Sequence, residues 1–390
     1  AQGALTRRAG QPPKAAHTAT RQPVASPMHK YMQPRLRQAG KEPRPSASMS
    51  DRNRALNYGS TRAYPRPMAD AEESKGGQCG CCAAGLYGAL FVWPPRIAFM
   101  LVFLLATLPC WLYAVVVDCC CCCLVASEEA RRRHGRFLGW FVSTSWRLAF
   151  RFCCWIRIEA STDALKEAGT KGRSAFIAAN HVSFMDTPLF CTALPGNIAG
   201  DTKTLMARMH LNMPVIGRLA RFIGHMPVPF TSERRGNLSV DKERMAETMA
   251  LVDAHIDRGG HLVLFPEGDL NSQWRRLKQF RAGGLEICVR HDMEVWAVVM
   301  AGTANCWPEG APCGGSPATL AMRAVLLYPS AKSAAEELAG SQATLREQAV
   351  ALAENMRERM QAVLDELAPL CGEPSDSEGC RPSDPILGGA

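Results

Sequence analysis

The sequence predicts an α/β fold, a mixed sheet flanked by helices, preceded by a hydrophobic membrane helix or hairpin. Three observations carry this. Two short apolar runs, Ser174 to Ala179 and His261 to Phe265, each break into a polar motif, as strands do where they leave a sheet. An uncharged stretch of 21 residues runs from Ile97 to Val117 between Arg96 and Asp118. A third run, Ala334 to Ala368, repeats apolar residues at helical spacing (Leu345, Ala349, Leu352, Met356, Met360, Val363, Leu367) and predicts one amphipathic helix packed on the sheet.

Taken in chain order, residues 1–84 read as a disordered basic tail. Residues 1–76 hold 14 Lys and Arg against 5 Asp and Glu, a surplus of 9 that equals the net charge of the whole chain, +9. This stretch lacks Ile, Phe, Trp and Cys, so it cannot bury enough apolar area to offset the entropy of ordering. No nucleic-acid-binding signature accompanies the charge, which excludes that class; contact with anionic lipid or a targeting role stays open.

Residues 85–126 form the membrane-embedded segment. Twenty-one uncharged residues are enough to cross the hydrocarbon layer as a helix. Pro94, Pro95 and Pro109 leave a re-entrant hairpin as the alternative to a single span. Arg131, Arg132, Arg133 and Arg136 place the end that follows on the cytoplasmic side.

Residues 127–157 predict an interfacial amphipathic helix. Phe137, Trp140, Phe141, Trp146, Phe150, Phe152 and Trp155 would insert among lipids, with Ser143, Arg147 and Arg151, spaced four apart, at headgroup level. Residues 158–368 are the α/β domain with its C-terminal helix, and 369–390 a flexible tail.

The chemistry sits where the two strands end. His181 and Asp186 form a His-x4-Asp pair just beyond the first. Imidazole titrates nearest neutrality and can take a proton from an alcohol, and a carboxylate five residues on can orient it. Asp186-Thr187-Pro188 suits a helix start, with an N-cap and an early Pro. Glu267 and Gly268 follow the second strand, past Pro266. Ser183 lies inside the first motif, but no Gly-x-Ser-x-Gly elbow surrounds it, so a serine nucleophile is not expected.

Three ordered blocks complete the pattern: Asn180-His181 through Asp186, Phe265-Pro266-Glu267-Gly268, and Leu277-Lys278-Gln279-Phe280-Arg281-Ala282-Gly283-Gly284. They resemble the glycerolipid acyltransferases, most closely the 1-acylglycerol-3-phosphate acyltransferases, over roughly residues 150 to 330. The resemblance implies a glycerol-3-phosphate acyltransferase-like fold for the domain. It also implies transfer of an acyl group from acyl-CoA or acyl carrier protein to a lysophospholipid hydroxyl, His181 as general base and Asp186 as its orienting partner. Glu267 and Gly268 would shape the acceptor site. No metal and no bound cofactor are expected; the partners are acyl-CoA, a lysophospholipid and the bilayer.

The sequence departs from this family after Phe-Pro-Glu-Gly. The family usually continues Thr-Arg, whose arginine contacts the acceptor phosphate, whereas Asp269-Leu270-Asn271 stand here. Arg275 and Arg276, or Arg234 and Arg235 in a looser second block, are the candidate replacements, because guanidinium binds phosphate in bidentate fashion. Acceptors other than lysophosphatidate, such as lysophosphatidylcholine, stay open, as does a catalytically silent lipid-binding protein on the same scaffold.

Of the 17 cysteines, eight cluster at Cys79, Cys81, Cys82 and Cys119 to Cys123. Five in a row on a helix (Cys119, Cys120, Cys121, Cys122, Cys123) point all round it and cannot converge on one zinc ion; their place beside a membrane segment suggests S-acylation. The family resemblance favours the endoplasmic reticulum, with the domain facing the cytosol, and the acid-poor leader leaves a plastid membrane open.

Overall fold

The computed structural model describes residues 93–119, 127–234 and 237–372, apart from the side chains of 232–234 and 237–239. The expectations for the basic tail, for Cys120 to Cys123, for Arg235 and for residues 373–390 lie outside the described residues.

Seven strands form one mixed sheet: β1 (Ile156–Ser161), β2 (Ala175–Ala179), β3 (Thr202–Ala207), β4 (Met226–Val228), β7 (His261–Leu264), β8 (Glu294–Ala301) and β9 (Ala318–Tyr328), in the order β1-β9-β8-β2-β7-β3-β4. β5 (Phe230–Arg234) and β6 (Asn237–Val240) pair separately as an antiparallel hairpin. Neighbours in the large sheet run parallel except β8 and β9. Both faces of its centre are covered, which is why β2 and β8 read as continuous apolar runs rather than alternating ones. In β2, Phe176 and Ala178 enter one core while Ala175, Ile177 and Ala179 enter the other.

The first core is closed by α7 (Lys242–Ile256), α8 (Ala282–Arg290), α10 (Ala331–Ala339) and α11 (Leu345–Leu367). The predicted C-terminal helix is thus two. Gly340, at φ +91°, stops α10, and Thr344 restarts the chain with a capping box to Glu347. The sequence period alone does not register this break, because apolar spacing resumes on the same core.

The second core lies beneath α1 (Trp93–Cys119), α2 (Glu128–Phe152) and α3 (Asp186–Ala193). α1 is continuous through Pro109, so there is no hairpin between Trp93 and Cys119. Among the described residues it is the one helix long and apolar enough to cross a membrane. It does not stand apart from the domain. Phe99 and Phe103 pack on Phe150, Trp146 donates to the Thr107 hydroxyl at 3.0 Å, and Tyr113 meets His134 at 2.6 Å, so α1 and α2 lie antiparallel. Phe99, Thr107, Cys110, Ala114 and Val117 form the buried stripe, and Ile97, Leu101, Leu104, Leu105, Leu108 and Leu112 are exposed.

Two of the three residues in the polar stripe of α2, Ser143 and Arg147, face inward onto α3. Ser143 donates to the Cys191 carbonyl at 2.7 Å, and Arg147 donates to the carbonyls of Thr192 (3.1 Å) and Leu194 (2.8 Å). The last carbonyls of α3 have no partners within their helix, and a guanidinium fork satisfies two of them. Only Arg151 of the three is exposed. Phe137, Trp140 and Phe152 are exposed, while Trp146 and Phe150 are core.

At the amino ends of β2 and β7, opposite the motif loops, three histidines serve as neutral acceptors or linkers. His261 Nδ1 accepts from Ala175 N (3.1 Å), His225 Nδ1 from Thr204 N (3.2 Å), and His255 Nε2 lies 3.1 Å from the His261 carbonyl. Burial first, and then the nearby Lys203 ammonium, holds His225 down at about 3 and His255 at about 4; burial also lowers His261. The unfolded chain binds these protons near pH 6.5 and the folded one does not, so stability is lost as pH falls from about 6.5 toward 4. Urea midpoints measured across that range should drop steeply, and more steeply than those of a His225→Gln variant.

Candidate active site

β2 ends at Ala179, and the next residue locks the loop to the sheet. Asn180 is fully buried; its amide donates to the Met300 carbonyl and its oxygen accepts from Met300 N, both at 2.8 Å. A two-way bond to Met300, near the end of β8, holds in place a strand end that would otherwise fray.

His181 comes next and is gripped at its main chain. Its N–H donates to Glu267 Oε1 (2.9 Å), and its carbonyl accepts from Asn271 N (2.7 Å). Its ring stacks on Phe265 at 4.2 Å. Nδ1 lies 3.0 Å from Asp186 Oδ2. Facing an ionised carboxylate, Nδ1 carries the proton, which leaves the lone pair on Nε2. Nε2 makes no hydrogen bond to any described residue, and the side chain is 20% exposed, so the basic nitrogen is open to a ligand.

Asp186 is fully buried and does not cap α3 as its sequence setting suggests; it lies within the first turn, after Met185. Its carboxylate turns back on the preceding loop. Oδ2 accepts from Val182 N (2.6 Å), Ser183 N (2.7 Å) and His181. The four-residue spacing thus closes a tight turn in which one carboxylate shapes the loop and orients the imidazole together. Ser183 is fully used: its hydroxyl donates to the Trp307 carbonyl (2.7 Å) and accepts from Met185 N (3.1 Å), and it faces no base.

The Glu267 turn follows β7, which lies beside β2. Glu267 is buried, with Oε1 on His181 N and Oε2 accepting from Lys278 N at 3.0 Å. It caps no helix and instead ties the His181 loop to the Lys278 segment. Burial pushes its carboxyl above the usual range, and the two backbone N–H groups pull it back in part. Gly268 sits at φ +73°, and a Cβ there would lie 2.3 Å from Arg281 Nε. Gly268→Ala is therefore expected to destabilise the fold by roughly 1–3 kcal/mol and displace Arg281, readable as a lower urea midpoint.

The candidate phosphate ligands are scattered. Arg275 stacks over the Trp274 ring at 4.5 Å, and its carbonyl takes Gln361 Nε2. Arg276 is exposed, and its carbonyl accepts from Asn271 Nδ2 at 2.6 Å. Arg234 ends β5, away from the large sheet's hydrogen-bond ladder. Two residues that sequence reasoning did not single out lie nearer the His181 and Glu267 motifs. Asn271 is buried one residue past Leu270, which stands where the expected arginine is missing, and its backbone and side chain organise the loop from His181 to Arg276. Arg281 is exposed, with its guanidinium against Gly268. The signal for Arg281 was its place in the third motif block, at the N-cap position immediately before α8. Cys119 is exposed at the end of α1.

Three comparisons bear on this arrangement. Residues 160–301 match the family model described as Acyltransferase. No curated protein sequence matches the chain. One similar solved structure is the crystal structure of the 1-acyl-sn-glycerophosphate (LPA) acyltransferase PlsC from Thermotoga maritima, at 17% identity and TM-score 0.44, covering 68% of this chain and 98% of that one. The matched span runs from the end of β1 to the end of β8 and contains His181, Asp186 and Glu267, so the part of the chain that carries the motifs is the part similar to the Acyltransferase family.

Proposed function

We propose that the chain is a membrane-associated acyltransferase that moves a fatty acyl group from acyl-CoA to the free hydroxyl of lysophosphatidate, giving phosphatidate. The observation that carries this reading is His181 held by Asp186 with Nε2 open, inside an acyltransferase domain. Nε2 removes the hydroxyl proton as the oxygen attacks the thioester carbon, and the collapsing tetrahedral intermediate expels the CoA thiolate, which takes that proton back from the imidazolium. Asp186 fixes the tautomer and stabilises the imidazolium, as the carboxylate does in serine-protease logic. The substrate supplies the nucleophile, so no side chain is acylated. Glu267 acts on the acceptor through the main chain of His181, and Arg281, beside Gly268, supplies the cation for the acceptor phosphate. Acyl carrier protein is the alternative donor.

The exposed leucines of α1, along a helix whose other face is packed on the domain, support a seat on one leaflet with the site on the same side. A cytosol-facing site on the endoplasmic reticulum fits this reading. Loss of the Thr-Arg pair supports a second acceptor class, a lysophospholipid with a larger headgroup such as lysophosphatidylcholine. Transfer of labelled oleoyl from oleoyl-CoA to each lysolipid, by membranes carrying the full chain, tests both. Product from lysophosphatidate is expected; product from lysophosphatidylcholine alone would replace the first reading with the second, and binding without product from any donor would leave a silent lipid-binding protein.

A further inference from the structure

The last turns of α2 and the edge strand β1 enclose a half-open cavity of about 290 Å³. β1 is three strands from β2 in the sheet, about 14 Å by strand spacing, so this cavity is not the His181 site. Its size is at the lower end of small-molecule sites, enough for a headgroup and the start of a chain. Phe150, Ile156, Ile158 and Met322 give it an apolar floor, and Arg147 and Arg151 stand over it. No carboxylate lines it. Alternation along β1 sends Arg157 and Glu159 to the opposite face, where they pair at 2.8 Å.

The two arginines differ in a useful way. Arg147 spends Nε and one Nη on the carbonyls of Thr192 and Leu194, which fixes its position. Arg151 makes no hydrogen bond or ion pair with any described residue. Their neighbours on α2, Leu148 and Phe152, are 54% and 66% exposed. The exposed first half of α1 lies alongside, because Phe99 packs on Phe150. Two cations over an apolar floor, beside an apolar surface, match an anionic amphiphile better than a soluble anion.

We infer that this cavity holds the phosphate headgroup of an anionic phospholipid of the bilayer on which α1 rests, as an accessory site separate from the acceptor. The inference rests on the membrane association proposed above. Arg151 meets the phosphate, Arg147 adds fixed positive charge, and the first methylenes of the chains lie on Phe150 and Ile158.

Co-sedimentation of the full chain with phosphatidylcholine vesicles, with and without phosphatidylglycerol, tests it. Arg151→Gln and Ala160→Phe, which fills the cavity without changing charge, are each expected to lower the phosphatidylglycerol-dependent gain about fivefold, while Arg157→Gln leaves it unchanged. The basic residues 1–76 remain in every chain, so their share cancels. A photoreactive phosphatidylglycerol should label peptides between Arg147 and Thr162. Failure of the wild type to bind any vesicle would remove the membrane reading itself. Binding in which Ala160→Phe keeps the full gain, or Arg157→Gln loses as much as Arg151→Gln, would overturn the site alone. Displacement of the photolabel by the free headgroup as effectively as by vesicles would overturn the bilayer as its source.

Discussion

Replacing His181 with Ala is expected to lower acyl transfer by about a thousandfold or more, with folding stability nearly unchanged. General base catalysis contributes about 10²–10⁴-fold, and no described residue stands ready to take the proton instead. Ser183 is bound to the Trp307 carbonyl, and Asp186 is buried behind the imidazole. The side chain of His181 makes one hydrogen bond and one ring contact, whereas its backbone carries the loop, so truncation leaves the Glu267 and Asn271 bonds in place. Steady-state rates with oleoyl-CoA and lysophosphatidate, beside a urea melt of the same preparation, check both halves. Unchanged turnover in a folded variant would remove His181 from the chemistry.

Replacing Glu267 with Ala should cost both stability and rate. Two buried N–H groups, of His181 and Lys278, lose their acceptor, and each orphaned donor costs about 1–3 kcal/mol. The fold should therefore lose about 2–6 kcal/mol, and the His181 loop should lose its register. If Glu267 works by positioning, kcat falls by one to two orders of magnitude with KM little altered, on the order of what a misplaced base costs. If it touched the acceptor directly, KM would rise instead. Glu267→Gln separates these further, because its amide would present a donor to one of the two N–H groups and so fail to restore kcat.

Much of the site was legible because its parts are local. The apolar run before His181 became a strand buried on both faces, and the spacing from His181 to Asp186 became one closed turn. The same is true of the strand that ends before Glu267. What Glu267 does was not legible, because its partners are main-chain groups 86 and 11 residues away, and backbone amides leave no mark in sequence. Asn271 escaped for a related reason: in sequence it is only the residue after a departure from the family pattern at Asp269-Leu270, and only the folded loop shows it gripping His181. Arg281 escaped because its proximity to Gly268 depends on a left-handed turn that brings two separated segments together.

The helices show the same division. The length and uniform apolarity of Ile97 to Val117 belong to the composition, and they determined a helix with a lipid-compatible surface. The orientation of α2 does not follow from its period. A stripe of Ser143, Arg147 and Arg151 suits a headgroup layer and a helix terminus equally well, since both offer oxygens to a guanidinium. The tertiary structure decided between them by bringing the open carbonyls of α3 against Ser143 and Arg147, leaving Arg151 free. By itself, then, the sequence determined the sheet strands, the apolar helix and the pairing of His181 with Asp186, because each is written in short-range pattern. Which groups hold His181, which arginine stands beside the turn and which way the amphipathic helix faces were decided only by packing, where residues distant in the chain compete for the same unsatisfied backbone atoms.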